Sequence, residues 1–254
     1  MISSKLQGGL GNQLFQISAS HALSLRNGDV SGFNFNLCYT PLQGKPSTHY
    51  IDTILSSVNR IGSYSFKNFY REPKHSYSEI PYNEDLLIEG YFQSERYFSD
   101  FKEEIIDLFK ISNNYLDMIK TVFDFNRPTT SVHIRRGDYL INPNIHPTCD
   151  LVYYKKAMDM FPNNDFIFIS DDIKWVKENF VGENIKYSLF NDEIVDLKLM
   201  TMCDNNIIAN STFSWWGAYL NKNKNKIIVS PKNWFGPNGP NDQFDIVPKE
   251  WIKI

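Results

Sequence analysis

What this sequence does not contain narrows its function before any motif is read. No stretch of about twenty apolar residues is present to cross a bilayer, and the opening MISSKLQGGL has neither the positive flank nor the apolar core of a secretory signal. The expectation is a cytoplasmic protein without a transmembrane segment. Cysteine is scarce: Cys38, Cys149 and Cys203 stand apart in no C-x-x-C spacing, which argues against a disulfide framework or a structural zinc site. Basic charge is not in excess either. Lys and Arg number 26 against 29 Asp and Glu, a net charge of -3, so nucleic acid is not expected as a partner and any anion site must be a local cluster. No internal repeat is evident. What the 254 residues do contain, 42% hydrophobic and 15% aromatic, suffices for one large domain or two of ordinary size and excludes a disordered chain.

The chain is organised around SVHIRRGDY, Ser131 to Tyr139. Thr130, Val132 and Ile134 alternate with Ser131 and His133, a β-branched pattern of period two that predicts a strand. Such a strand delivers Arg135 and Arg136 to its C-terminal end, and Gly137 allows the backbone turn that follows. In an open α/β sheet that end faces the crevice where ligands bind. Two guanidiniums there present forks of donors suited to phosphate or carboxylate oxygens. The other reading of RRGD is a solvated loop whose arginines pair with Asp138 and neighbouring acids.

Upstream, Ile2 to Leu6 predicts a short first strand. QGGLGNQ follows, with Gly8, Gly9 and Gly11 in a tight turn and a helix from about Gln13 to Arg26 that Asn27-Gly28 stops. Free N–H groups at a helix start attract anions. Yet no Lys-Ser/Thr closes this loop as in a P-loop, and the third glycine of the dinucleotide fingerprint is absent. Close packing of the turn against a neighbouring segment explains the glycines as well as a site does. Asn12 and Gln13 add neutral amides that suit sugar hydroxyls or phosphate oxygens. Val30 to Leu37 predicts a second strand. Pro41, Pro46, Pro73 and Pro81 then punctuate a stretch with one short helix around Ile51 to Val58, in which His49 and His75 read as incidental. Leu86 to Tyr91 predicts a buried strand. FQSERYF leads on to a helix from about Asp100 to Lys110, with Ser99 as N-cap and Phe101, Ile105, Leu108 and Phe109 on one face. A short helix, Tyr115 to Phe123, runs into Asn126-Arg127-Pro128. That is the expected boundary between a domain of residues 1-127 and one of residues 128-254.

The second half is more regular. A Pro- and Asn-rich loop precedes a helix from Asp150 to Met160, and FIFIS, Phe166 to Ser170, predicts a strand. Asp171-Asp172 caps a helix to about Phe180, Ile185 to Leu189 is a further strand, and a helix runs from about Glu193 to Cys203. The strand Asn206 to Ala209, the helix opened by NSTFSWWGAYL and the strand Lys226 to Ser230 complete the pattern. Strands alternating with helices imply right-handed crossovers and a parallel sheet. Three polar clusters then fall on one rim: RRGDY, SDD and NSTFS. Asn210, Ser211, Thr212 and Ser214 offer hydroxyl, amide and helix-start N–H donors, a cradle for phosphate, although an N-cap alone explains such a cluster. Asp171 or Asp172 can accept from the ring N–H and amino group of guanine, with helix capping as the other role for one of them. Adjacent carboxylates rarely converge on one cation, so a metal is not expected here. Trp215 and Trp216 read as packing residues.

In this order, GGLGNQLFQ, GYFQSERYF, VHIRRGDY, SDDIKWVKENF, NIIANSTFSWWGAYL and PKNWF resemble the bacterial α-1,2-fucosyltransferases, glycosyltransferase family 11, from about Gly8 to Phe235. The span between Phe33 and Leu86 carries no motif of that pattern. The resemblance implies an α/β fold of two Rossmann-like domains facing a cleft, the GT-B type, with the N-terminal domain on the acceptor side. It further implies GDP-fucose as donor, a galactose-terminated oligosaccharide as acceptor, inversion at the anomeric carbon and no required metal or other cofactor. Its setting would be the cytoplasm or the inner membrane surface where glycans are assembled. More distantly, HxRRGD and STFS resemble motifs of the α-1,6- and protein O-fucosyltransferases. That likeness implies Arg135 on the β-phosphate, His133 and Asp171 by the guanine, and Ser211 to Ser214 on the diphosphate. GLGNQ implies that Asn12 borders the reacting sugar, and Asp138, nearest to the arginines in sequence, is the candidate base. Two further readings stand beside this one: another nucleotide-sugar transferase on the same scaffold, or a catalytically silent nucleotide- or sugar-binding module.

Overall fold

The computed structural model describes residues 1–40 and 44–254, and Pro41 lies outside the described residues. The chain divides into two compact units, Met1–Ile111 with Asp242–Pro248, and Ser112–Asn241 with Lys249–Ile254.

In the first unit, β1 (Ile2–Ser4) leads into α1 (Leu10–Arg26), followed by β2 (Asn68–Arg71), β3 (Leu86–Glu89) and α2 (Lys102–Leu108). The strands form a sheet in the order β1-β3-β2, and both pairings are parallel, with Ile2 beside Leu86 and Ser4 beside Ile88. Helix α1 starts three residues earlier than its apolar pattern suggests because Gly9, in extended conformation, serves as its N-cap. The strand expected over 30–37 does not form. Single bridges join Ile2 to Ser31 and Phe33 to Arg60, and Phe35–Leu37 closes into a 3-10 turn in which Asn34 Oδ1 accepts from Asn36 N at 3.1 Å. Such side-chain competition for a backbone donor is why Asn breaks strands. The helix expected over 51–58 is instead a run of turns, with Tyr50 O accepting from both Thr53 N and Leu55 N. Ser99 does not cap: a 3-10 turn over Ser99–Phe101 precedes α2, which has no side-chain cap. β2 was not expected, since its residues are largely exposed and lack an apolar alternation.

The second unit contains α3 (Asn114–Val122), β4 (Thr129–Ile134), α4 (Leu151–Asp159), β5 (Asp165–Ser170), α5 (Ile173–Asn179), β6 (Ile185–Tyr187), α6 (Glu193–Met202), β7 (Asn205–Ile207), α7 (Thr212–Tyr219), β8 (Ile228–Ser230) and β9 (Ile252–Lys253). α3 belongs here because Ile119, with Phe123 just beyond the helix, packs with Val195, Leu199 and Met200 of α6. The observed division therefore falls at Ile111, ahead of Asn126-Arg127-Pro128. The strands form one sheet in the order β6-β5-β4-β7-β8-β9, parallel at every pairing. On β5, Phe166 and Phe168 join Val132, Ile134, Tyr154 and Val176 in one core, while Ile167 and Ile169 join the core on α6. Both faces are covered, so FIFI reads as an unbroken apolar run, as strands buried on two sides do. Each such side chain contributes about 1.5–3 kcal/mol on burial. The short β9, two residues from the C-terminal region, adds an edge that no pattern announces. Trp215 and Trp216 are fully buried against Tyr219, and Trp215 also against Trp251, in the packing role read for them.

Candidate active site

β5, β4 and β7 are adjacent and parallel, so the segments that leave their C-terminal ends emerge on one rim of the second unit. These are RRGDY after β4, SDD after β5 and NSTFS after β7, with neighbouring strands about 4.8 Å apart. Direct bonds join them. Tyr139 Oη donates to Asn210 O at 2.9 Å, tying the arginine loop to the hydroxyl-rich turn, and Arg136 N donates to Asp171 Oδ1 at 2.9 Å, tying it to the loop after β5.

The two arginines are held differently. Arg135 Nη2 donates to Asp138 Oδ1 at 2.6 Å and its Nη1 lies 3.0 Å from Asp171 Oδ2, leaving its side chain 29% exposed. Arg136 Nε donates to Asp172 Oδ2 at 3.0 Å, and its guanidinium lies 4.0 Å from the Trp175 ring centroid. Arg135 is thus a pre-oriented fork with room for a ligand, and Arg136 is a stacked, paired support beside it. Gly137 is needed for a reason other than a turn: a Cβ there would sit 2.5 Å from Asp171 Oδ2, so the glycine admits the carboxylate that braces Arg135.

Asp171 and Asp172 separate in role. Asp172 caps α5 by accepting from Trp175 N at 3.1 Å; that bond, aided by Arg136, holds its carboxyl below the ordinary range. Asp171 serves the arginine loop. Among the described residues no three His, Cys, Asp or Glu side chains gather as a candidate metal site.

The other site residues divide into rim and support. Thr212 opens α7 half-buried, so its hydroxyl and the helix-start N–H groups can meet an anion, while Ser211, the N-cap, is 7% exposed and makes no side-chain capping bond. Ser214 does not share that role: it is fully buried, and its Oγ lies 3.2 Å from Ser211 O. Asn210 does not offer its amide either. Its Nδ2 donates to Trp234 O at 2.8 Å and Pro147 O at 2.9 Å, locking the loops beneath the rim. His133 is 5% exposed, with its ring 5.5 Å from Phe213, so it sits under the rim rather than on it. Burial, with Arg135 nearby, pushes its pKa down to about 3, so the ring is neutral at physiological pH.

In the first unit the glycine turn is packed against neighbouring segments. Gln13 is fully buried, its Nε2 donating to Gly8 O at 2.8 Å and Lys45 O at 3.0 Å while Oε1 accepts from Ser47 Oγ. Asn12 is half-exposed and its Oδ1 accepts from Gln93 Nε2 at 2.9 Å. Tyr139, Trp175 and Gln93 were not singled out as functional by their sequence context. Trp175 could have been found from its spacing, three residues after the capping aspartate in SDDIKW.

The comparisons with known proteins fall on this arrangement. The model of Glycosyl transferase family 11 matches residues 1–254. The chain belongs to that family. It is 33% identical to the O-antigen biosynthesis glycosyltransferase WbnK of Escherichia coli, over 98% of this chain and 99% of the relative. It is 32% identical to an Escherichia coli alpha-1,2-colitosyltransferase, over 100% of this chain and 99% of the relative. The solved structure of NodZ alpha-1,6-fucosyltransferase soaked with GDP-fucose is similar in fold, at 13% identity and a TM-score of 0.52, covering 86% of this chain and 91% of that one. The α/β class with parallel sheets, and the GT-B-like fold expected from the motifs, agree with that likeness. This family 11 member is accordingly a glycosyltransferase. Among its described residues no helix is long and apolar enough to cross a membrane.

Proposed function

We propose that this enzyme transfers L-fucose from GDP-β-L-fucose to the 2-hydroxyl of a galactose-terminated glycan, with inversion and without a metal, in the cytoplasm or at the inner membrane surface. The observation that carries the reading is the rim on which Arg135, braced by two carboxylates, shares an edge with the half-buried Thr212 hydroxyl and the uncapped start of α7. In the reaction the acceptor oxygen forms the new bond to the anomeric carbon as the bond to the GDP β-phosphate oxygen breaks. That oxygen takes the electron pair, and the proton of the acceptor hydroxyl passes to solvent water. Charge therefore grows on the diphosphate. Arg135 and the α7 N-terminal donors stabilise it more in the transition state than in the ground state, which lowers the barrier. Neutralisation by fixed cations supplies what a divalent ion supplies elsewhere. Asp171 retains lone pairs beyond its bonds to the arginine loop and is the rim carboxylate suited to guanine N–H donors.

A second reading, colitose in place of fucose as the transferred sugar, is favoured by the 32% identical colitosyltransferase. Transfer assays on a glycan array, with GDP-fucose, GDP-colitose, GDP-mannose and UDP-glucose as donors and with and without a chelator, test the proposal. Fucosyl transfer to terminal galactose that persists in chelator is expected. Preference for GDP-colitose would replace the donor, and loss of transfer in chelator would remove the metal-free mechanism.

A further inference from the structure

β1 and β3 are paired in parallel, so the glycine turn after β1 and the segment Gly90 to Ser94 after β3 leave the same end of the first sheet. The second segment is held in an unusual shape. Phe92 has φ 51, in the left-handed region where a bulky residue is an outlier. The carboxylate of Glu72 keeps it there, accepting from Tyr91 N at 2.7 Å and Phe92 N at 3.0 Å and from Tyr97 Oη at 3.2 Å. Strain that surrounding groups enforce marks places where a side chain must be aimed. The side chain aimed by this turn is Gln93.

Gln93 is 7% exposed, and its Nε2 donates to Asn12 Oδ1 at 2.9 Å while its own Oε1 is buried without a partner. One atom of the Gln93 amide is left over whichever way the two amides are turned. Leaving an acceptor unpaired is the less costly arrangement, because orphaned buried N–H groups are rarer than under-satisfied carbonyls. Asn12 Nδ2, in turn, has no acceptor among the described residues. Gly8 makes room for it: at φ +78, a Cβ on Gly8 would lie 2.5 Å from Asn12 Nδ2. A strained turn, a buried amide and a glycine thus all fix one N–H pair, on a half-buried residue, that bonds to nothing among the described residues.

We propose that Gln93 is a positioning residue for sugar transfer: by donating to Asn12 Oδ1 it turns that amide so that Asn12 Nδ2 is the donor presented to a substrate sugar oxygen. This rests on the glycosyl-transfer reading above. It predicts that polarity matters at position 93 more than volume. A carboxylate can accept but not donate, so Gln93→Glu forces Asn12 to turn and present its oxygen instead, whereas Gln93→Met leaves the amide free to rotate.

The variants are assayed at about pH 9, where an introduced carboxylate of ordinary or moderately raised pKa is ionised. Expected is a fall in kcat of roughly a hundredfold for Gln93→Glu, the size of loss that follows removal of one preorganised donor, and a smaller one for Gln93→Met. Both should leave the KM for the donor near the parent value, and since the buried charge of Gln93→Glu lowers its melting temperature, rates are read well below the melting temperature of each variant. Asn12→Asp, which keeps the bond from Gln93 but has no Nδ2, should match Gln93→Glu. The side-chain amide signals of Asn12 in a nitrogen-15 correlation spectrum, assigned by their loss in Asn12→Asp, should shift in Gln93→Glu without ligand. Equal losses in the Glu and Met variants, or a kcat near the parent value in Asn12→Asp, would make Gln93 a packing residue and overturn the inference. Unmoved Asn12 signals would overturn it as well. A parent enzyme that transfers no sugar from any nucleotide donor overturns the functional reading instead, and the spectrum then decides the orientation of the amide by itself.

Discussion

The two units hold their backbones by different means. In the second, a parallel sheet carries apolar side chains on both faces, and its core is a matter of contact area: Ile167, Ile169, Phe168 and Val132 are at most 2% exposed and sit between helices. In the first, amide and carboxylate side chains bind loop backbone directly. Gln13 holds Gly8 and Lys45, Gln16 accepts from Gln7 N at 2.9 Å, and Glu72 holds Tyr91 and Phe92. Area-based packing gives a sheet with a usable rim. Polar clamps give loops of irregular shape that no repeating pattern could specify. The difference predicts where function and stability separate on mutation.

The largest effect belongs to the rim. Arg135→Ala should lower kcat by roughly a hundred- to a thousandfold, the loss expected when one preorganised transition-state donor is removed. Removing it also leaves the half-buried carboxylates of Asp138 and Asp171 without their shared cation, so a stability loss of about 1–3 kcal/mol in a protein that stays folded is expected. Urea melts and steady-state rates on the same preparation check both halves. Near-parental turnover in folded Arg135→Ala protein would detach the rim from catalysis.

The next effect is on stability and lies in the first unit. Gln13→Met preserves volume but leaves the carbonyls of Gly8 and Lys45 and the Ser47 hydroxyl without their shared amide, so a loss of about 1–3 kcal/mol is expected. Ile169→Val, a methyl deletion in the second unit, should cost about 0.5–1.5 kcal/mol. The urea midpoints, at unchanged m-value, give the comparison. A smaller cost for the glutamine than for the isoleucine would mean that the clamps accompany the loop shape without maintaining it.

The same contrast explains which features are legible in the sequence alone. The strand that ends at Ile134, the parallel order of the second unit and the convergence of RRGDY, SDD and NSTFS follow from periodicity and crossover handedness, because apolar area drives them. Residues 30–37 alternate like a strand yet make isolated bridges, since Asn34 diverts the backbone donor of Asn36. Within the site, residue type identified the arginines but could not distinguish Ser211, whose hydroxyl makes no capping bond, from Ser214 and Asn210, whose polar atoms are engaged in holding the loops. Burial and partner choice make that distinction, and neither is written in spacing. Glu72, outside every motif, was invisible for the same reason.

Titration sharpens the comparison through opposite signs. Burial, added to by Asp242 and opposed by the N–H groups of Phe92 and Tyr91 and the Tyr97 hydroxyl, raises the Glu72 pKa from 4.5 to about 7. The folded state then holds a proton that the unfolded chain has released. This group's contribution is therefore most favourable below 4.5 and declines as pH rises to about 7, after which it is constant. On the rim, the Trp175 N–H and Arg136 depress the Asp172 pKa, so that contribution is present at neutral pH and is lost on acidification. In Glu72→Gln the fall in stability across the window from 4.5 to about 7 should flatten, as read from urea midpoints at several pH values. An unchanged slope would assign the pH dependence to other groups.

The smallest expected effect decides the role of Asp138. Its Oδ1 accepts from Arg135 Nη2 at 2.6 Å, the geometry of a group that orients an arginine. In Asp138→Asn an amide oxygen can still accept from Nη2, and Asp171 still holds Nη1, so kcat should fall by less than about tenfold, well short of the loss on removing a general base, about 10²–10⁴. Donor KM should rise by a similar small factor if the arginine loosens on its ligand. A thousandfold loss of kcat at unchanged donor KM would instead make Asp138 the proton acceptor, and its bond to Arg135 would then be the means by which the enzyme holds that carboxylate in place until the acceptor hydroxyl arrives.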